Sequence, residues 1–259
     1  MKRLFFTEEH QLFRSTLQDF FKEEVIPYID EWEAQGKTDR SIFRKMGEMG
    51  FLALEVAEEY GGMGLDFMYS AILCEELGKT SSLGFETVIA AHSYLAMNYL
   101  IHAGSPFIKE KYLKPSVTGE KIGSLSMTEP FAGSDFKGIR TTAKLEGDVY
   151  VVNGSKTFIS NAFYGDYTVA AVKTEKGMSM LVIDLDADGV SRTKLDKVGI
   201  RCSDTAELAF DNVRVPKENL LGEEGRGFYY VMESLQVERL TGAIACIGLM
   251  DYVLEITLV

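Results

Sequence analysis

Glu238 interrupts an otherwise apolar line. Val231, Leu235, Glu238, Gly242, Ala245, Leu249, Tyr252 and Ile256 recur at spacings of 4, 3, 4, 3, 4, 3 and 4, which draws one stripe along a helix. Every member except Glu238 is apolar or small. A carboxylate on the packed side of a helix loses hydration, and that raises its pKa. Gly242, about one turn on, leaves space beside it. A carboxyl of raised pKa next to a gap suits a general base that takes a proton from carbon. A structural glutamate paired with the adjacent Arg239 has the same signature, and on the residues alone both readings stand.

A second stretch, SMTEPFAGSDFKG from Ser126 to Gly138, is crowded with small and hydroxyl residues. Backbone N–H groups in a glycine turn bind phosphate oxygens, and the hydroxyls of Thr128 and Ser134 add orienting hydrogen bonds. Interdomain loops share this composition. The stretch is neither a P-loop nor a dinucleotide fingerprint, and GEEGRG (222–227) lacks the GK[ST] ending and reads as a turn. Other chemistries fare worse. His10, His92 and His102 have no metal-ligand spacing and there is no HExxH, so no metal site is expected. Cys74, Cys202 and Cys246 are scattered, which fits reduced, mostly buried thiols in a cytoplasmic protein. The formal net charge of −12, with no basic cluster, argues against nucleic acid. The start MKRLFFTEEH is too short in apolar residues for a signal peptide. No uninterrupted apolar run approaches the ~18 residues of a membrane span, so no spanning helix is expected.

The elements that must hold these residues fall into three blocks: 1–122 helical, 123–226 rich in strands, and 227–259 helical again. Thr7 is placed to cap a helix carrying Glu8 and Glu9 in its first turn. Leu12, Phe13, Leu17, Phe20, Phe21 and Val25 form its apolar face, and Pro27 ends or bends it. Further helices are predicted over 41–49, 68–77 and 85–101, with a glycine turn at EEYGGMG (58–64). From Thr141 short β runs follow: TTAKL, VYVVNGSKTFIS, YTVAAVK, SMLVIDL, AELAF and VRVP. Asn153-Gly154 reads as a hairpin turn. The fold class expected is α+β: an all-α N-terminal domain, a middle antiparallel β-barrel or sandwich, and the start of a C-terminal helical bundle. The last helix runs to Val259 without a stop signal, so the chain is expected to be C-terminally incomplete.

Taken together, the segments resemble the acyl-CoA dehydrogenase family, nearest to its long-chain subgroup. MTEPFAGSD is similar to the family's E-P-x-A-G-S-D signature, VVNGSKTFISNA to its flavin-side hairpin, and VGIRCSDTAELAFDNVRVPKENLLGEEGRGF to the run closing its β domain. EEVIP and EEYGGMG echo its N-terminal helical domain, and the likeness covers essentially the whole chain in order. The resemblance implies FAD, α,β-desaturation of an acyl-CoA thioester to the trans-2-enoyl-CoA in fatty acid β-oxidation, electron-transferring flavoprotein as acceptor, and a homotetramer or dimer. It implies cofactor contacts from Leu125, Ser126, Met127, Thr128, Glu129, Pro130, Phe131, Ala132, Gly133 and Ser134, and from Phe158, Ile159 and Ser160. Phe158 would pack near the isoalloxazine. Ser134, Tyr229, Val237, Glu238, Arg239 and Leu240 would touch substrate, and Glu238, in LQVERL, would be the catalytic base. Phe131 departs from the family's usual smaller residue, often glycine, and is expected to crowd the loop or to shift its turn. Ser126 replaces a small apolar residue or cysteine, and the loop near 173–177 is short. An acyl-CoA oxidase-like flavoenzyme and a truncated, non-catalytic acyl-CoA-binding remnant are the alternatives.

Overall fold

A computed structural model describes residues 5–258. Residues 1–4, part of the start read for a signal peptide, and Val259, the last residue of the final helical block, lie outside the described residues. Helix α1 (Glu8–Glu24) starts at Thr7, whose hydroxyl accepts from the His10 backbone N–H while the His10 ring accepts from the Thr7 N–H. It buries Leu17 and Phe21, with Val25 just beyond, but Leu12 is 70% exposed and lies off that face. After a 3₁₀ turn at Ile26–Tyr28 comes α2 (Ile29–Gln35), a short helix ended by Gly36 at φ 67°. Helix α3 (Ser41–Glu48) leads to the glycine turn, where a Cβ on Gly62 would lie 2.1 Å from the Val56 carbonyl oxygen. Helix α4 (Phe67–Lys79), capped by Asp66, is followed by α5 (Leu83–Ala90), capped by Ser82. The helix predicted over 85–101 is not uniform: α5 passes through a π-helical segment, Ala91–Ala96, into α6 (Met97–Ala103). Two short helices, α7 (Pro106–Ile108) and α8 (Lys114–Val117), flank a second π segment, Lys109–Leu113.

The strands are β1 (Gly123–Ser126), β2 (Thr142–Glu146), β3 (Val149–Ser160), β4 (Tyr167–Thr174), β5 (Gly177–Asp184), β6 (Val190–Lys194), β7 (Thr205–Pro216) and β8 (Leu220–Leu221). They form one sheet in the order β6-β7-β3-β2-β4-β5-β8, with β1 parallel to β4. The expected barrel is not closed: the sheet is open, and β2 also meets β4 in parallel. Strand β4 shows no polar alternation because both its faces are covered, Val169 and Ala171 by the helical side and Ala170 and Val172 by the opposite apolar cluster.

Asn153-Gly154 is not a hairpin turn, because β3 runs straight through it. The pairing of β3 with β7 slips between Val152 and Gly154, which makes the site a bulge. Gly154 sits at φ 148°, and a Cβ there would lie 2.5 Å from Thr141 Oγ1. Asn153 instead pairs with Asn212 of β7: the Asn212 backbone N–H donates to Asn153 Oδ1 at 2.9 Å, and Asn212 takes φ 52°. The β2–β3 hairpin turns at Gly147, φ 65°.

Helix α9 (Gly227–Thr257) crosses α4 at very close range. A Cβ on Gly78 would fall 2.1 Å from the Ala245 carbonyl oxygen, and one on Gly248 would fall 2.0 Å from that of Glu75. Two glycines facing each other's backbone therefore set this contact. The opposite faces of α9 expose Leu240, Ile247, Met250, Leu254 and Ile256. By length and composition α9 is long and apolar enough to cross a membrane. Counting uninterrupted apolar runs misses it, because isolated charges such as Asp251 break a run without lowering the average much. Core helices packed in all-helical domains are as long and apolar.

Candidate active site

The packed line of α9 is Gly227, Val231, Ser234, Thr241, Ala245 and Gly248, and the half-buried Glu238 falls within it. Burial pushes the Glu238 carboxyl up to about 7, against the opposing pull of the Tyr99 hydroxyl and the Arg239 charge. Its Oε1 is buried and has no hydrogen-bond partner among the described residues. Arg239 is exposed, and no ion pair joins it to Glu238 among the described residues. The structural pairing left open by the sequence is therefore not made. Gly242 is exposed and a Cβ there would meet nothing within 4 Å among the described residues, so the gap beside it is open surface and not a pocket.

Tyr99 is the residue that sequence reasoning missed. It is 1% exposed, and its hydroxyl lies 3.8 Å from Met127 Sδ. Burial, followed by the nearby Glu238 charge, drives its own pKa up, so it stays a neutral donor. One side chain thus ties the carboxyl on α9 to the start of the SMTEPFAGSD loop. Nothing in its spacing flags this, because Tyr99 follows the π segment, whose wider turn rotates the face presented by the residues after it.

The loop divides into inward and outward residues. Ser126 is fully buried on β1, and its hydroxyl pairs with that of Thr168. Leu125 is half-buried on the same strand. Glu129 and Ala132 are buried and exchange backbone hydrogen bonds of 2.9 and 3.1 Å, closing a tight turn with Pro130 and Phe131 at its tip. The Glu129 carboxylate accepts from Lys156 Nζ at 2.8 Å and from the backbone N–H groups of Arg140 and Thr141. Burial pushes Glu129 up, but the Lys156 ammonium and the backbone donors outweigh it and leave the carboxyl below its usual range. The buried Lys156 also donates to the carbonyls of Met127 at 3.3 Å and Ala171 at 2.6 Å.

Thr128 is half-buried, while Gly133 and Ser134 are exposed. Phe131 is 76% exposed, with the Arg140 guanidinium 4.7 Å from its ring centre, so it does not crowd the loop. The second segment lies alongside, because the Thr157 N–H donates to the Thr128 carbonyl at 2.9 Å. Ile159 is buried and Ser160 half-buried, but Phe158 is 69% exposed and held at φ 59°. A bulky aromatic residue in the left-handed region is strained, and such strain clusters at ligand sites. Ser126, Glu129, Ala132 and Ile159 are therefore the buried members of the two segments, while Leu125, Met127, Thr128, Pro130, Phe131, Gly133, Ser134, Phe158 and Ser160 keep some face toward solvent.

The substrate candidates are dispersed. Val237 lines a small cavity among the helices. Tyr229 is exposed under the Arg226 guanidinium, and its position is more than two turns of α9 away from Glu238. Leu240 and Arg239 face outward, Leu240 beside an apolar groove with Phe67 and Ile244. The turn at Phe136–Gly138 meets the start of α9 through Phe136 and Phe228.

Comparison with known proteins settles the lineage. Residues 7–120 match the acyl-CoA dehydrogenase N-terminal domain, and residues 124–213 match the acyl-CoA dehydrogenase middle domain. A probable acyl-CoA dehydrogenase from Mycobacterium abscessus superposes with a TM-score of 0.93 at 38% identity, over 96% of this chain and 68% of that one. The chain belongs to the acyl-CoA dehydrogenase family. The mitochondrial long-chain specific acyl-CoA dehydrogenase of Rattus norvegicus is 38% identical over 98% of this chain, which spans 61% of that relative's length. A structure of an acyl-CoA dehydrogenase from Bacillus anthracis complexed with FAD matches with a TM-score of 0.90 at 33% identity, over 96% of this chain and 43% of that chain. The order found here, a helical part, a sheet and a following helix, is that of acyl-CoA dehydrogenase structures.

Proposed function

We propose that this chain contributes to FAD-dependent α,β-dehydrogenation of an acyl-CoA thioester, with Glu238 removing the α proton. The observation that carries this reading is the half-buried Glu238: its carboxyl is raised to about 7, and its Oε1 is sealed from solvent and unpartnered among the described residues, beside Tyr99 and the Met127 end of the loop. A base with that pKa is half-ionised near neutrality and gains a strong proton affinity from its dry surroundings. The Tyr99 hydroxyl, held neutral, lies near Glu238 and pulls its pKa down against the effect of burial.

The outward residues suit a flavin. A Cβ on Gly133 would strike no described neighbour, so the loop leaves room there for a ligand to approach the backbone closely. Thr128, Ser134 and Ser160 supply hydroxyls, and Phe158 an exposed aromatic face. FAD supplies the hydride acceptor at N5 when bound. The buried Glu129–Lys156 pair keeps the loop rigid behind those residues. Within the same reading, 1–122, 123–226 and 227–259 act as three structural blocks. Electron-transferring flavoprotein takes the electrons, and a homotetramer or dimer covers the exposed apolar side of α9.

The test is anaerobic titration of the FAD-reconstituted chain with acyl-CoA. Wild type is expected to lose flavin absorbance. Glu238→Gln is expected to bind FAD equally and to bleach at least ~10³-fold more slowly. Unchanged bleaching in that variant removes Glu238 from the reaction.

A further inference from the structure

The cavity bounded by Val237 holds about 130 Å³, and its wall mixes apolar side chains such as Met97 and Ile101 with the polar Glu55, Ser70, Ser93 and Asn98. Two of its lining residues, Val237 and Asn98, directly precede Glu238 and Tyr99 in the chain. Part of its lining is internally satisfied, since the Ser70 hydroxyl donates to Glu55 at 2.6 Å. Two groups are not. Ser93 Oγ and Asn98 Nδ2 belong to residues only 8% exposed, and neither has a hydrogen-bond partner among the described residues. Leaving a buried donor unpaired costs on the order of 1–3 kcal/mol, so natural folds keep few of them without a reason. Ser93 and Tyr94 also sit in the π segment Ala91–Ala96, an irregularity associated with ligand sites.

An alkyl chain end would seal these two groups away from water without pairing them. A neutral hydroxyl or carbonyl would pair both. A carboxylate would not suit: Glu55 lines the cavity, and among the described residues no lysine or arginine does and His102 is the only basic side chain at its wall. From this we infer that the cavity receives the far end of the substrate's acyl chain, and that this end carries a neutral hydrogen-bonding group, a hydroxyl or a ketone, met by Asn98 Nδ2 and Ser93 Oγ. The inference rests on the acyl-CoA reading of Glu238 and names the substrate class within it.

Matched pairs of non-reactive acyl-CoA thioethers, alkyl-ended and ω-hydroxy-ended across a ladder of chain lengths, test it by calorimetry on the FAD-reconstituted chain. At one length the hydroxyl-ended member is expected to bind at least ~10-fold more tightly, as one well-placed buried hydrogen bond allows. The ω-carboxy counterpart is expected to bind more weakly than either. Asn98→Leu is expected to erase the preference, and Ser93→Ala to reduce it; the second variant serves if the first does not fold. Equal affinities within every pair, the result for a cavity that holds only water, overturn the inference, as does a preference unchanged in both variants. Flavin bleaching by the reactive thioesters separates the two claims. Bleaching with no hydroxyl preference sinks the substrate class alone, a preference in binding with no bleaching sinks the desaturation alone, and no binding by any analogue sinks both.

Discussion

At the scale of single residues, Glu238 governs what pH should do to the chemistry. A base must be ionised to act, and this one is raised to about 7 chiefly by burial. The rate of flavin bleaching at low acyl-CoA concentration is therefore expected to rise with pH along a single titration near 7 and to level off above it. A profile flat from pH 6 to 8 would show that a different group takes the proton. Glu238 is legible in the amino-acid sequence, because a carboxylate in an apolar helical stripe declares its own desolvation. Tyr99 is not, since its role depends on a π turn that no short-range pattern announces. The sense of Glu129 is also hidden there. Within the loop it looks like one more ligand-facing polar residue, yet its carboxylate is consumed by Lys156, a residue 27 positions on.

At the scale of elements, the α4–α9 crossing rests on absent side chains. Gly248→Ala would drive a methyl into the Glu75 carbonyl, so thermal unfolding is expected to show a loss of about 3 kcal/mol as the helices separate. Gly242→Ala on the same helix meets nothing and should instead gain up to ~1 kcal/mol from helix propensity. Equal shifts in the two variants would mean that the crossing is not what Gly248 serves. The spacing of the stripe singles out Gly242 as the meaningful glycine, because a pattern along one helix says nothing about a partner helix. Asn153-Gly154 misleads for a related reason. Both residues do tolerate unusual backbone, as a turn requires, but β7 lies alongside and uses that tolerance for a bulge. Helix starts are easier to read. Thr7 closes α1 with local hydrogen bonds, and local causes are visible locally.

At the scale of the whole molecule, two desolvated carboxyls tie stability to pH. Glu86 and Glu238 are both raised from 4.5 to about 7, each mainly by burial. Between those values the folded chain holds more protons than the unfolded one, so stability falls as pH rises. His92 opposes this lower down: burial depresses it from 6.5 to about 4, so its contribution is lost as pH falls through that window. From pH 6 to 8 the carboxyls dominate. Denaturant unfolding of wild type against the Glu86→Gln/Glu238→Gln double variant should therefore separate by a further ~2–3 kcal/mol over that interval, in favour of the variant. A constant difference would show that the two groups ionise normally. The Lys156 ammonium carries another consequence. It binds the Met127 carbonyl, the Glu129 side chain and the Ala171 carbonyl, so one atom spans the candidate flavin loop and strand β4. The loop should then not open on its own: its amide hydrogens should exchange with deuterium no faster than those of β4, and Lys156→Met should release the loop to the fast timescale of an ordinary surface turn.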